Sequence, residues 1–207
     1  MHKTAEDNAR RFFDNYVYPN TTDIQILEIG SVIGGFNIRS LNPPNSKYVG
    51  VDLGSGNGVD VVLSDPYKFP FDDESFDFAI SSSCFEHSEF FWLSYLETMR
   101  VLKPHGVFYL NAPSNGDFHR YPIDCWRFFP DSGHALVNYG NRMGMNSCLI
   151  EQYTSDKEQD IWSDYVAIFL KDQSHIGRYP NRILNSFHNY NNGSTYPHTH
   201  LLNLKHW

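Results

Sequence analysis

Residues 119–130 read HRYPIDCWRFFP and set His119, Arg120, Asp124 and Arg127 among aromatic rings and two prolines. A histidine beside a carboxylate can take a proton from a substrate while the carboxylate orients its ring. The same stretch also suits a packed surface turn held by Asp124 and Arg127. A weaker third reading is metal ligation by His119, Asp124 and Asp117, and no metal is assigned on so loose a grouping. Trp126, Phe128 and Phe129 suit core packing or stacking on a sugar face. Another candidate, His87, follows Cys84-Phe85-Glu86 and either caps a helix or handles a proton.

Such groups need a rigid frame, and the apolar pattern supplies one. Residues 4–17 carry Ala5, Ala9, Phe12, Phe13 and Tyr16 at near-helical spacing. DIQILEIG, KYVGVDLGSG, VDVVLSD, SFDFAISSS and VFYLNAP are short apolar runs closed by polar or glycine residues, which predicts five strands. SVIGGFNIRSL is expected to turn into a helix that Pro43-Pro44 ends. SEFFWLSYLETMRVLKPHG reads as a helix closing at Gly106. A helix over 131–144 and strands near 147–153 and 162–170 follow. Strands alternating with helices predict an α/β fold with a mostly parallel sheet, in which ligands sit beyond the carboxyl ends of the strands. The five strands end in Glu28-Ile29-Gly30, Asp52, Asp65, Ser81-Ser82-Ser83 and Asn111-Ala112-Pro113. Jointly these polar ends outweigh any single one.

The chain has 207 residues, 41% of them hydrophobic, and a net charge of -8. That fits one folded domain and disfavours a general nucleic-acid binder, which needs a basic stripe. No apolar run reaches the roughly 18 residues of a membrane span, and the first residues lack a secretory pattern. Three widely spaced cysteines suggest reduced thiols. The expected setting is the cytoplasm. The tail from Gln173 is rich in Asn, His and Tyr, and its His198-Thr199-His200 reads as a solvated segment, a cover for the pocket or a subunit contact.

LEIGSVIGG, YVGVDLGSG, VDVVLSDPYKFPFDDESFDFAISSSCFEH and ETMRVLKPHGVFYLNAPS, in that order and spacing, resemble a class I S-adenosylmethionine-dependent methyltransferase of type 11. The likeness covers roughly residues 24–170. A subset linked to sugar and surface-polysaccharide metabolism has a segment like YP-x-D-x-WRF-x-P after strand five. The resemblance implies a Rossmann-like, doubly wound sheet of seven strands with helices on both faces. It implies a helix over 1–22, a methyltransferase domain over 23–172 and a tail over 173–207. Glu28, Gly30 and Gly34 would face the methionine part of the cofactor, with Val32 where glycine is usual. The branched Val32 disfavours a positive φ and narrows the loop. Asp52 would hold the ribose hydroxyls, Leu53 would lie beside the adenine and Asp65 would reach its amino group. Ser81 or Ser82 would line the sulfonium.

His119, Asp124 and His87 are then the candidates for proton handling, and Arg120, Tyr121, Trp126 and Arg127 for binding a small hydroxylated acceptor, with a sugar or polysaccharide precursor as one class. Two other readings stay open. A nicotinamide-dependent oxidoreductase is disfavoured because residues 30–35 do not spell G-x-G-x-x-G. A catalytically silent, methyltransferase-like assembly module is compatible with Val32. Oligomeric state is left open.

Overall fold

The computed structural model describes residues 2–20, 23–157 and 161–206. Strands form where the apolar runs lie: β1 (Gln25–Ile29), β2 (Lys47–Asp52), β3 (Val61–Val62), β4 (Phe76–Ser82), β5 (Leu102–Pro113), β6 (Cys148–Ser155) and β7 (Asp164–Leu170). An eighth strand, β8 (Tyr190–Thr195), comes from the tail. The spatial order is β3-β2-β1-β4-β5-β7-β6-β8. Strands β1 to β5 pair in parallel, β7 runs antiparallel between β5 and β6, and β8 is antiparallel to β6. From β1 the chain winds outward to β2 and β3, and from β4 outward to β5, so the topological switch point lies between β1 and β4.

Alternate residues of the central strands enter two cores, as a period of two requires. Ile26, Phe78, Ile80 and Tyr109 pack under α1 (Lys3–Phe12) and its π-helical continuation Phe13–Val17, against Phe12, Phe13 and Tyr16. Leu27, Ala79, Phe108 and Leu110 face α2 (Phe91–Val101) and α3 (Ser132–Arg142) through Tyr95, Met99 and Leu136. Phe12 stacks on Tyr109 with ring centroids 4.8 Å apart. Truncating a fully buried Phe of this kind costs about 3–5 kcal/mol.

Three expectations are corrected. Among the described residues the sheet has eight strands rather than seven. The eighth, YNNGST, has no apolar alternation and is stabilised by its pairing with β6. The segment after β1 forms no α-helix. It runs as a loop to one 3-10 turn, Ile38–Leu41, where the Asn37 side chain accepts the Arg39 N–H at 3.1 Å. The pairs Val32-Ile33 and Gly34-Gly35 are weak helix formers, and Pro43 stops any extension. Finally, α2 ends at Val101, and Leu102–Gly106 already belong to β5. Pro104 cannot continue a helix. The flanking Lys103 and His105 reach the Asp77 carboxylate of β4 at 2.8 and 3.1 Å, which holds this stretch in the sheet.

Candidate functional site

At the switch point, β1 runs into Gly30, whose φ of +79° only glycine adopts without strain. A Cβ there would lie 2.6 Å from Cys84 Cβ, so the loop after β1 packs on the residues after β4. The N–H groups of Gly30 and Ser31 donate to the Val51 carbonyl at 3.0 and 3.1 Å. Val32 N–H donates to Asp52 Oδ2 at 3.2 Å, and Ile33 N–H to the Asn57 carbonyl at 2.9 Å. Gly54 N–H donates to Asp52 Oδ1 at 3.2 Å. The loops after β1 and β2 therefore interlock. No helix starts here, and the N–H groups of residues 30–33 are used within the protein. Val32 keeps its backbone outside the left-handed region, and the valine is accommodated without strain.

Glu28 is buried and accepts from Tyr48 Oη at 2.9 Å; burial raises its carboxyl to about 7, against the opposing effect of the Tyr48 hydrogen bond. Leu53 is exposed. Asp65 lies on the surface and accepts the Tyr67 N–H at 2.8 Å. Ser81 and Ser82 are buried at the end of β4, and the next residue, Ser83, has a φ of +53° that is costly for a residue other than glycine. Burial pushes the Cys84 thiol up to about 12, so it stays neutral. The Ser31, Ser82 and Ser83 hydroxyls, Asn111 Nδ2 and Glu86 Oε2 are buried without a hydrogen-bond partner.

The HRYPIDCWRFFP segment crosses the same end of the sheet as an ordered loop. Cys125 and Trp126 donate their N–H groups to the Glu86 carbonyl at 2.8 and 3.1 Å, and Phe128 N–H donates to Pro113 at 2.9 Å. Within it, Arg127 grips Asp124 in a fork, with Nη1–Oδ1 at 2.6 Å and Nη2–Oδ2 at 2.8 Å. Asp124 Oδ2 also accepts the His119 N–H at 2.8 Å. Arg127 thereby holds the Asp124 carboxyl well below the usual carboxylate range. The His119 ring is less tightly paired to it, with Nδ1 3.5 Å from Asp124 Oδ2 and 3.1 Å from the Asp117 carbonyl.

Beneath this loop lies a cluster that spacing alone did not assemble. His87 Nδ1 is hydrogen-bonded to the Ile123 carbonyl, and its Nε2 is 3.7 Å from Glu86 Oε1. The His87 and His119 rings meet edge to face with centroids 5.1 Å apart, and Trp162 meets His119 at 5.0 Å. Burial raises the Glu86 carboxyl to about 8 and lowers His87 below its ordinary value. Asp164, fully buried, accepts from His2 Nε2 at 2.7 Å on the same side.

Of the sequence-predicted residues, the structure brings His87, His119, Asp124 and Arg127 together. Arg120 and Tyr121 stand exposed on the rim. Trp126 is anchored by Nε1 to the Ser88 carbonyl at 2.9 Å and packs edge-on against Phe91 and Trp92. Glu86, Trp162, His2 and Asp164 were missed. Only Glu86 carried a signal, its place beside His87; the others reach the cluster through tertiary packing.

Residues 27–110 match the family model of the methyltransferase domain. That stretch is similar to a methyltransferase domain, and the Rossmann-like sheet around it is the class I methyltransferase fold. It is 30% identical over 143 residues to the phthiotriol/phenolphthiotriol dimycocerosates methyltransferase of Mycobacterium tuberculosis, covering 58% of this chain and 51% of that one. The chain thus spans about half the length of the curated relatives it matches. A putative sarcosine dimethylglycine methyltransferase from Galdieria sulphuraria superposes with a TM-score of 0.61 at 15% identity, over 82% of this chain and 85% of that one. A SAM-dependent methyltransferase from Aquifex aeolicus gives 0.55 at 13% identity, over 80% and 89%. These structural likenesses establish the shared fold of the domain. Among the described residues, no helix is long and apolar enough to cross a membrane.

Proposed function

We propose that this chain transfers the methyl group of S-adenosylmethionine to a hydroxyl of a small acceptor, with a sugar or polysaccharide precursor as the acceptor class. The carrying observation is the set of unpartnered buried polar atoms at the carboxyl ends of β1, β4 and β5: the hydroxyls of Ser31, Ser82 and Ser83 and Asn111 Nδ2. Each such group costs about 1–3 kcal/mol when left unsatisfied, so their concentration here supports a polar ligand that satisfies them. A Cβ built on Gly34 or Gly54 meets nothing within 4 Å, which leaves the two loops open to close approach by a ligand.

In this reading Asp52 binds the ribose hydroxyls, Leu53 covers the adenine, Asp65 takes the adenine amino group, and Glu28, Gly30 and Gly34 border the methionine end. Ser81 and Ser82 line the space between. S-adenosylmethionine, when bound, supplies an electrophilic methyl group on a sulfonium. The protein's work is to exclude water and align the acceptor oxygen. Arg120 and Tyr121 meet the acceptor at the rim. Without an ion between them, proton handling falls to the paired imidazoles of His87 and His119. Asp124 is a positioning residue that acts through Arg127 and the His119 backbone.

Calorimetry with S-adenosylhomocysteine, the demethylated product, tests the reading. Saturable 1:1 binding is expected, weakened by Asp52→Ala. No binding at millimolar concentration overturns the cofactor assignment. Binding without turnover across a broad panel of hydroxylated acceptors would favour a silent binding module instead.

A further inference from the structure

We infer that Glu86, His87 and His119 form a binding site for one divalent transition-metal ion on the acceptor side of the cleft. One ligand atom from each of the three lies within 4.8 Å of the other two. Two ligands about 2.1 Å from a tetrahedral ion are separated by about 3.4 Å, and Glu86 Oε1 to His87 Nε2 is already 3.7 Å. The remaining contraction falls on His119, which sits on a loop with its side chain 38% exposed and can follow an ion.

The outer contacts fit ligation. The Ile123 carbonyl accepts from His87 Nδ1, which fixes the proton there and leaves the Nε2 lone pair on the Glu86 side. In the tautomer whose Nδ1 donates to the Asp117 carbonyl, 3.1 Å away, His119 keeps its Nε2 lone pair for an ion. Arg127 Nη2 is 3.4 Å from His119 Nδ1, but its charge is offset by the fork to Asp124. Glu86 is 1% exposed and its Oε2 has no partner, an arrangement whose cost a cation would remove.

Two imidazoles and one carboxylate suit Zn²⁺, Fe²⁺ or Co²⁺ better than Mg²⁺ or Ca²⁺, which prefer all-oxygen shells. Three protein ligands leave a position open for an oxygen from water or from an acceptor. The site itself stands without the methyl-transfer reading; only the assignment of an acceptor oxygen to the open position rests on it.

Co²⁺ is the probe, because its visible absorption reports nitrogen and oxygen ligation directly. Titration of the metal-stripped 207-residue chain is expected to saturate at one Co²⁺ per chain, with Zn²⁺ displacing it. His119→Gln and Glu86→Gln should each abolish the saturable absorption while circular dichroism and S-adenosylhomocysteine binding stay intact. The His198→Ala/His200→Ala protein should retain it. Absence of saturable absorption in the wild-type protein, or its survival in both His119→Gln and Glu86→Gln, overturns the site. The metal titration and the product calorimetry have separate readouts, so failure of one does not imply failure of the other.

Discussion

The backbone N–H of Val32 donates to the Asp52 carboxylate at 3.2 Å, which joins the loop after β1 to the end of β2. Gly54 N–H uses the other oxygen at the same distance. One carboxylate therefore shapes both loops and still has lone pairs for a ligand's hydroxyls. Asp52→Ala removes both functions. Charge-assisted hydrogen bonds contribute about 1.5–3 kcal/mol, so affinity for S-adenosylhomocysteine should fall about 10- to 100-fold. Asp52→Asn, which keeps an acceptor oxygen, should lose less. Calorimetry that finds equal affinity in wild type and Asp52→Ala would remove Asp52 from the cofactor site.

Asp124 and Arg127 act as a unit. The Asp124 side chain is only 2% exposed, and its oxygens are taken by the Arg127 fork and the His119 N–H. Asp124→Ala leaves a guanidinium without its partner and releases the loop. Amide hydrogen exchange at His119 should rise about 10-fold or more, as expected when a local opening is eased by about 1.4 kcal/mol. Turnover should drop while product affinity is kept. Arg127→Ala should do the same, and the double variant should be no worse than either single one. Additive effects would show that the two side chains work separately.

The strands were legible because each is a short, nearly all-apolar run, such as QILEI or FDFAISS, and a parallel strand buried on both faces must read that way. The cofactor-side residues followed from where those runs end. The loop after β1 was misjudged because its glycines fit a turn before a helix equally well; what decides is the interlocking with Asp52 and Asn57, a contact between segments some 20 residues apart. Tyr190–Thr195 was hidden for a related reason. Its polar residues carry no pattern, and its place depends on the partner strand β6. Trp162 and His2 reach the imidazole cluster only through the fold, and no local spacing announces them.

Glu28 should make stability depend on pH in a direction opposite to that of most carboxylates. Its ordinary value is 4.5, and burial raises it to about 7 in the folded protein. Below pH 4.5 it is protonated folded or unfolded, and its contribution to stability is intact. Between 4.5 and 7 the unfolded chain ionises it first, so stability falls as pH rises and levels off above 7. Across this window the loss amounts to about 3 kcal/mol. Glu28→Gln keeps an acceptor for Tyr48 and cannot ionise. Denaturant unfolding of both proteins at pH 5, 6 and 7 should show the wild type losing stability relative to Glu28→Gln across this window. Parallel curves would mean that Glu28 ionises in the folded state as easily as in water.

Glu151 should control how the tail is attached. It lies fully buried on β6 and accepts the Tyr16 hydroxyl, the Ile183 N–H at 2.7 Å and the Leu184 N–H at 3.1 Å. One carboxylate thus ties the N-terminal helical segment and the approach to β8 onto the sheet. Glu151→Gln turns one acceptor oxygen into an amide donor that faces at least one of these donors. A buried donor left without its acceptor costs about 1–3 kcal/mol. For a chain of this size that corresponds to a Tm lower by about 2–12 °C. The first effect should be local: trypsin should cut at Arg178 and Arg182 in Glu151→Gln at temperatures where the wild type resists. Tyr16→Phe removes one donor and leaves the two backbone bonds, so its Tm should fall less and the tail should stay protected. If Glu151→Gln keeps both its Tm and its resistance at these arginines, the tail is held by its apolar contacts at Tyr179 and Ile183 instead.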